Sequence, residues 1–382
     1  MKAFEMLPAP ILRYGENEAL NLEAQLKRLH ATSAVIVCDK GVYESGLLEP
    51  VLKEIKEIPY ALFHDILPES PDTVVEQLRD FARARHADAF VSVGGGSTID
   101  TARAALLLSE TEGPVSVYFD KWLEKAPVNI SYICIPTTAG TGAEMSGGGP
   151  IYNTKASTKQ ALLLPPKVPD MVILDPVMTV SLPPFVTYTT AMDALAHSIE
   201  AMTGKRRNAM TDMICGQAVE YIWRSIPKVM EDPKDLDSRG KLLLSSNMAI
   251  GSQSLRHLGH AVCQPVGAAF HLAHGYTCAA VLPATVRHLA CVPELKEVWE
   301  MIAARMGITG EKTPGENIAD ALWEGNKKYQ IPTLEQKGFR WEDILKCKDE
   351  IMGDGRLLPN CPIEVKEEDV VAVLSGMYHG LE

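Results

Sequence analysis

A chain of 382 residues exceeds the usual single-domain length, so two domains with separate cores are expected. Hydrophobic residues make up 46% and charged residues 23%, which is the range of a globular protein and excludes a disordered one. The formal net charge of -12 argues against a broad nucleic-acid or anionic-membrane footprint, although local basic residues can still hold a small anion.

The start of the chain, Met1-Lys2-Ala3-Phe4-Glu5, lacks the apolar core of a secretory signal. No apolar run approaches the roughly 20 residues that span a bilayer. The eight cysteines are scattered without a Cys-x-x-Cys pair, which predicts reduced, mostly buried thiols. A soluble, cytoplasmic protein is expected.

In chain order, a helical Leu22–Leu29 segment precedes the buried strand Ala34–Cys38. Thr73–His86 sets Val74, Val75, Leu78, Phe81 and Ala82 at helical spacing, and Ala89–Val93 is the next strand. A glycine loop and the helix Thr98–Leu108 follow, with further strands at Tyr132–Ile135 and Met171–Leu174. Strands alternating with helices predict a mostly parallel α/β sheet. After Leu182-Pro183-Pro184 the texture changes to long helical patterns at Phe185–Met202, Met210–Ile226 and Ser238–Leu258. The expected organisation is an α/β domain over 1–183 and an all-α domain over 184–382. The stretch 314–339 is too polar and broken to assign.

Two loops stand where ligands of open α/β sheets bind. Gly94-Gly95-Gly96-Ser97 lies between a strand and a helix, where backbone N–H groups and the helix dipole can hold a phosphate; a purely structural turn is the alternative. Ser97 can cap that helix with Asp100 as its reciprocal partner. The loop departs from the standard dinucleotide fingerprint, since Ile99 stands where a third glycine belongs. The second loop, Pro136-Thr137-Thr138-Ala139-Gly140-Thr141-Gly142, suits phosphate or ribose contacts, or is a capped turn. Asp39 ends a strand and can accept hydrogen bonds from an adenosine ribose, or is simply a turn residue before Lys40-Gly41.

Asp193 and His197 are four residues apart, so on a helix both point to one face. Alone such a pair says little. Four of the ten histidines, His257, His260, His271 and His274, fall within 18 residues in apolar surroundings, and burying several imidazoles without a shared purpose is costly. One carboxylate with three imidazoles suits Zn²⁺ or Fe²⁺, whereas Mg²⁺ or Ca²⁺ takes more oxygen ligands. Cys263 lies beside this group.

Four motifs in order, Gly94-Gly95-Gly96-Ser97-x-x-Asp100, Thr137-Thr138-Ala139-Gly140-Thr141-Gly142-x-Glu144, Asp193-x-x-x-His197, and His260 through His274-Gly275, make the whole chain resemble the iron-containing (group III) alcohol dehydrogenases. The resemblance implies an amino-terminal α/β dinucleotide-binding domain, a helical carboxyl-terminal domain, and substrate in the cleft between them. It assigns a divalent metal, Fe²⁺ in preference to Zn²⁺, to Asp193, His197, His260 and His274. It assigns NAD contacts to Asp39, Gly94, Gly95, Gly96, Ser97, Thr137, Thr138, Thr141, Lys159 and Thr179. The expected partner is a small alcohol or aldehyde, and the expected form a homodimer or larger homo-oligomer.

The sequence departs from the family pattern at several points. Arg103 stands where lysine is common, Ala143 where serine is common, and Gln264 where a histidine usually follows the third ligand by four residues. His271 and His257 are then the remaining titratable candidates for proton exchange, or are structural. If residues 256–260 are helical, Arg256 and His257 lie close to the ligand His260, so Arg256 and Gln264 are candidate contacts for a polar or anionic substrate; the alternative is that Arg256 faces solvent or an intrachain carboxylate. Two rival functions stand beside the dehydrogenase: a cyclising lyase of the dehydroquinate synthase-like group that uses NAD transiently, and a non-catalytic metal- or nucleotide-binding protein.

Overall fold

The computed structural model describes residues 4–6, 9–125, 129–252 and 255–381, so the reading of Met1–Ala3 lies outside it. The chain divides into two compact units, Pro8–Leu182 and Pro183–Glu382 with Met1–Leu7. Of the amino-terminal segment, Phe4 shares a cavity with Met202, Ala209 and Leu295 of the helical unit rather than joining the α/β unit in which the sequence analysis placed it.

The strands of the first unit are β1 (Ile11–Tyr14), β2 (Ala34–Asp39), β3 (Tyr60–Ile66), β4 (Ala89–Gly94), β5 (Ser131–Pro136), β6 (Pro150–Asn153), β7 (Thr158–Ala161) and β8 (Met171–Leu174). Its helices are α1 (Leu22–Arg28), α2 (Lys40–Glu44), α3 (Glu49–Lys53), α4 (Asp72–Arg83) and α5 (Gly96–Leu107). Six strands form one parallel sheet in the order β1-β8-β5-β4-β2-β3, and β6 and β7 form an antiparallel pair. Alternate residues of the central strands, Ile36, Val91, Ile133 and Ile173 among them, pack against Leu22, Leu26, Leu48 and Val51. On the opposite face, Tyr132 donates its hydroxyl to the carbonyl of Ile99 in α5 at 2.7 Å. A sheet covered on both faces explains why its inner strands read as unbroken apolar runs.

The chain leaves β2 outward to β3 and returns to β4 on the other side of β2, so strand order reverses between β2 and β4. Cys38 is registered with Val93 and Gly94 with Pro136. The carboxyl ends of β2, β4 and β5 therefore carry Asp39, the glycine loop and the threonine loop side by side. Such a switch point is where open α/β sheets bind ligands.

The second unit contains α6 (Pro184–Thr203), α7 (Ala209–Glu231), α8 (Leu236–Gly251), α9 (Leu258–Ala269), α10 (His274–Leu289), α11 (Lys296–Met306), α12 (Pro314–Lys328), α13 (Trp341–Leu345), α14 (Lys348–Met352) and α15 (Glu367–His379), with no strand among its described residues. Thr313 and Glu316 form a capping box that starts α12 in the stretch the sequence left unassigned. The expected helix Ser238–Leu258 is not continuous: α8 ends at Gly251, and Leu255–His257 are not helical. Residues 253 and 254 lie outside the described set.

Candidate functional site

α6 is buried on every side from Ala191 to Thr203, which makes it a core helix of its unit. Into it the sequence sets Asp193, His197 and Glu200, spaced four and three residues apart and hence on one face. α9 adds His260 from its first turn, and α10 begins with His274. The structure brings all four expected ligands together. The Nε2 atoms of His197, His260 and His274 lie 3.4, 3.4 and 3.6 Å from Oδ1 of Asp193.

Donor atoms bound at about 2.1 Å around a tetrahedral cation stand roughly 3.4 Å apart. Neither carboxylate oxygen of Asp193 has a hydrogen-bond partner, although the side chain is 1% exposed. A buried carboxylate left in that state is strongly unfavourable. These residues fit a divalent cation, with an N₃O donor set suited to Fe²⁺ or Zn²⁺. His197, His260 and Asp193 are buried, whereas the His274 side chain is 34% exposed, so the donor set meets solvent on that side.

Electrostatics of the cluster follow from burial set against proximity. Burial alone would raise Asp193, but His197, His274 and His260 hold it far below the usual carboxylate range. Burial drives His197 well below an ordinary imidazole. For His260 burial works downward too, yet Glu200 and Asp193 lift it to about 10.

Glu200 is the functional residue the sequence analysis missed. Its carboxylate accepts from His260 Nδ1 at 2.8 Å and from the backbone N–H groups of His260 and His257 at 3.1 and 2.9 Å. With the Nδ1 proton held by Glu200, Nε2 of His260 is the nitrogen turned towards Asp193, the outer-sphere arrangement that orients metal-bound imidazoles. Its place one turn beyond His197 on the ligand face was the available signal. Gly259 makes room for it, since a Cβ there would lie 2.3 Å from Glu200 Oε1. Gly275 similarly lets α10 approach α6, with a Cβ position 3.0 Å from the carbonyl oxygen of Thr189.

His257 is placed in a different role from the proton exchange considered for it. Its Nδ1 accepts from the N–H of Leu258 at 2.8 Å, capping α9, which leaves the proton on Nε2 to be donated to Thr203 Oγ1 at 2.8 Å. Burial lowers its pKa, and with both nitrogens engaged it is a neutral cap. His271 is exposed, in a left-handed conformation (φ 51°) three residues before His274. Gln264 sits one turn beyond His260 on α9, partly buried. Arg256 is not in helical register with His260, since α9 begins only at Leu258, but its charge still acts on Asp193 and His197.

In the α/β unit, α5 starts at Gly96 with Gly95 as its cap and no capping side chain, so Ser97 does not cap the helix as its sequence position suggested. Asp100 instead pairs with Arg103 at 2.8 Å, and Arg103 also donates to the carbonyl of Ala143 in the threonine loop. Arg103, read only as a departure from lysine, ties the two loops together. Cβ atoms at Gly95 and Gly96 would lie 3.2 and 3.1 Å from the side chains of Thr138 and Thr141, so glycine lets the loops pack closely without moving those threonines. No side chain caps the start of α5, and N–H groups at such a helix start can hold a phosphate.

The other expected cofactor residues have partners of their own. Thr137 donates its N–H to the carbonyl of Gly94, and Asp39 Oδ1 accepts from Val42 N at 3.0 Å as the cap of α2. Lys159 lies on β7 and pairs with Glu69 at 3.2 Å. Thr179 is buried and donates to the carbonyl of Pro176.

Comparison with known proteins matches residues 9–176 to the iron-containing alcohol dehydrogenase model and residues 187–378 to the carboxyl-terminal model of the Fe-containing alcohol dehydrogenase family. The chain belongs to the iron-containing alcohol dehydrogenase family. Choline dehydrogenase of Bacillus subtilis (strain 168) is 30% identical over 383 residues, covering 96% of this chain and 94% of its own. Sulfoacetaldehyde reductase of Bilophila wadsworthia (strain 3_1_6) is 28% identical, covering 93% and 94%. The crystal structure of sulfoacetaldehyde reductase from Bifidobacterium kashiwanohense in complex with NAD+ superposes with a TM-score of 0.86 at 22% identity, over 99% of this chain and 98% of that one, a likeness of fold. As a member of the iron-containing alcohol dehydrogenases, the chain is an oxidoreductase acting on CH–OH groups. The cyclising-lyase and non-catalytic readings give way to that assignment.

Proposed function

We propose that this iron-containing alcohol dehydrogenase interconverts a short, anionic alcohol and its aldehyde, using NAD and a divalent cation held by Asp193, His197, His260 and His274. The observation that carries the metal half is the convergence of three imidazole nitrogens on one buried, otherwise unpartnered carboxylate. When bound, the cation supplies Lewis acidity to the substrate oxygen and the nicotinamide takes or gives the hydride.

The chain's own residues do the rest. Asp193 offsets the cation's charge, Glu200 keeps Nε2 of His260 free to bind, and His257 fixes the start of α9 by its cap. The glycine loop offers N–H groups to the pyrophosphate, with Thr138 and Thr141 packed on its glycines. His271, exposed beside the ligand loop, is the group available to exchange a proton with solvent.

An anionic substrate is favoured by Arg256. Burial and the charge of Arg356 both lower its pKa, against which Asp193 and Glu200 act, and its Nε has no hydrogen-bond partner. Once a cation takes up the charge of Asp193, Glu200, already paired with His260, remains to balance the two guanidinium groups, and a carboxylate or sulfonate of the substrate supplies a further anion. The sulfoacetaldehyde reductase relative acts on such a compound. Arg256→Ala is expected to weaken transition-state binding of the anionic substrate by about 1.5–3 kcal/mol, the loss of one charged hydrogen bond, with little change for a neutral substrate of equal length. A panel of matched anionic and neutral aldehydes with NADH measures this, and an unchanged ratio of kcat/KM in the variant rules the role out.

Asp39 underlies the preference for NAD. Its carboxylate ends β2 at the switch point and repels a 2′-phosphate. Asp39→Gly is expected to relax the preference, whereas equal kcat/KM for NAD and NADP in the unaltered enzyme excludes it. The same reading takes the working form as a homodimer or larger oligomer in the cytoplasm. All eight cysteines are free thiols, as a reducing compartment keeps them, and no helix among the described residues is long and apolar enough to cross a membrane.

A further inference from the structure

The backbone around Arg256 is held by side chains from elsewhere in the helical unit. α8 ends at Gly251 and α9 begins at Leu258, so neither helix fixes Leu255, Arg256 or His257. Asn360, in the short turn Leu358–Asn360, is 3% exposed. Its Nδ2 donates to the carbonyl oxygens of Leu255 and Arg256, at 2.7 and 3.3 Å. The N–H of His257 is donated to Glu200 Oε2 at 2.9 Å.

These bonds take hold of Arg256 from both sides. The carbonyl of Leu255 lies in the peptide plane before its Cα, while the carbonyl of Arg256 and the N–H of His257 lie in the plane after it. With both planes pinned, the two soft torsions of Arg256 are set, and with them the direction in which its side chain leaves the chain.

Asn360 is itself anchored just beyond α6, the helix that carries Asp193 and His197. Its Oδ1 accepts from the N–H of Arg206 at 2.9 Å, and its main-chain oxygen accepts from the N–H of Lys205 at 2.8 Å. Donors on one side and acceptors on the other fix which way the amide points. Gly204, which ends α6, leaves room for it, since a Cβ there would lie 2.5 Å from Nδ2. The residue gripped in this way is the one whose buried Nε has no hydrogen-bond partner among the described residues.

We propose that Asn360 is the positioning residue for Arg256, tying it to α6 so that the guanidinium meets the anionic end of a substrate at a fixed span from Asp193 and His197; this rests on the reading of Arg256 above. Asn360 acts through the backbone, and the charge that meets the anion is that of Arg256.

The test is the ratio of kcat/KM for an anionic aldehyde to that for its neutral counterpart, measured with NADH on the metal-loaded enzyme. Malonic and succinic semialdehydes, each against its methyl ester, are the probes. Asn360→Ala is expected to lower the ratio about 10-fold, against the roughly 100-fold that a full ångström of misplacement can cost. In an Arg256→Ala background the same change is expected to lower it no further, because two residues acting as one unit are not additive. Gly204→Ala keeps the amide but drives it from its place, and is expected to lower the ratio in the same way, which keeps the test intact if Asn360→Ala does not fold. A ratio unchanged in Asn360→Ala and Gly204→Ala, with Arg256→Ala still lowering it, overturns the positioning role alone. A fall that persists in the Arg256→Ala background also overturns it, and an unaltered enzyme with no preference for the anion overturns both readings.

Discussion

His274→Ala protein is expected to purify folded, without its metal and without measurable turnover, because His274 is the most exposed of the four donors. Its side chain is 34% exposed, and among the described residues it pairs with no carboxylate other than Asp193. His260→Ala should lose metal and activity as well, but also stability, since Glu200, 1% exposed, would keep its charge and lose its imidazole partner. Glu200→Gln is expected to fall between, retaining metal with an affinity about 10- to 100-fold weaker, the usual effect of an outer-sphere partner. Elemental analysis and thermal unfolding of the three variants check this together. Full metal content in both histidine variants would remove the assignment.

Replacing Arg103 by methionine should destabilise the α/β unit by about 3–5 kcal/mol, because it leaves the Asp100 carboxylate largely buried and unpaired. Burial already raises Asp100, and Arg103 is the leading influence that opposes it. For a unit of this size that corresponds to a fall in Tm of roughly 6–20 °C. Adding Asp100→Asn to Arg103→Met should return part of the loss, since the uncompensated charge goes with it. If the single variant melts within a degree or two of the parent, the pair is not carrying the junction between α5 and the threonine loop.

How much of this was legible in the sequence differs by element. The four inner strands β2, β4, β5 and β8 were readable because each is buried on both faces and so spells a run such as Ala34-Val35-Ile36-Val37-Cys38. The two strands missed from the sheet, β1 and β3, are its edges. Their half-exposed residues, among them Arg13 and the pair His64-Asp65, break the run that would have marked them.

The helical pattern that seemed to run on to Leu258 is interrupted because the carboxylate of Glu200 takes the N–H groups of His257 and His260, a demand made from another helix. In the metal centre, residue types and spacing singled out Asp193, His197 and a cluster of four histidines, and the family resemblance chose His260 and His274 among them. They could not name Glu200, whose partner lies 60 residues away, nor show that His257 spends one nitrogen on capping α9 and the other on Thr203. Arg103 was legible only as a departure from lysine, yet its fork reaches Asp100 and Ala143 at once, which an ammonium does less well.

The unequal exposure of the donors bears on how fast metal enters and leaves. Asp193, His197 and His260 are locked in the helical core at 4% exposure or less, while His274 stands at the surface end of α10. Exchange can then begin with release of the one exposed imidazole, whose side chain can turn without opening of the helices around it. A chelator or a competing ion meets a three-legged site each time that arm is away. The ion recovered with the purified protein will therefore report the metals it met last as much as the one it was built to hold.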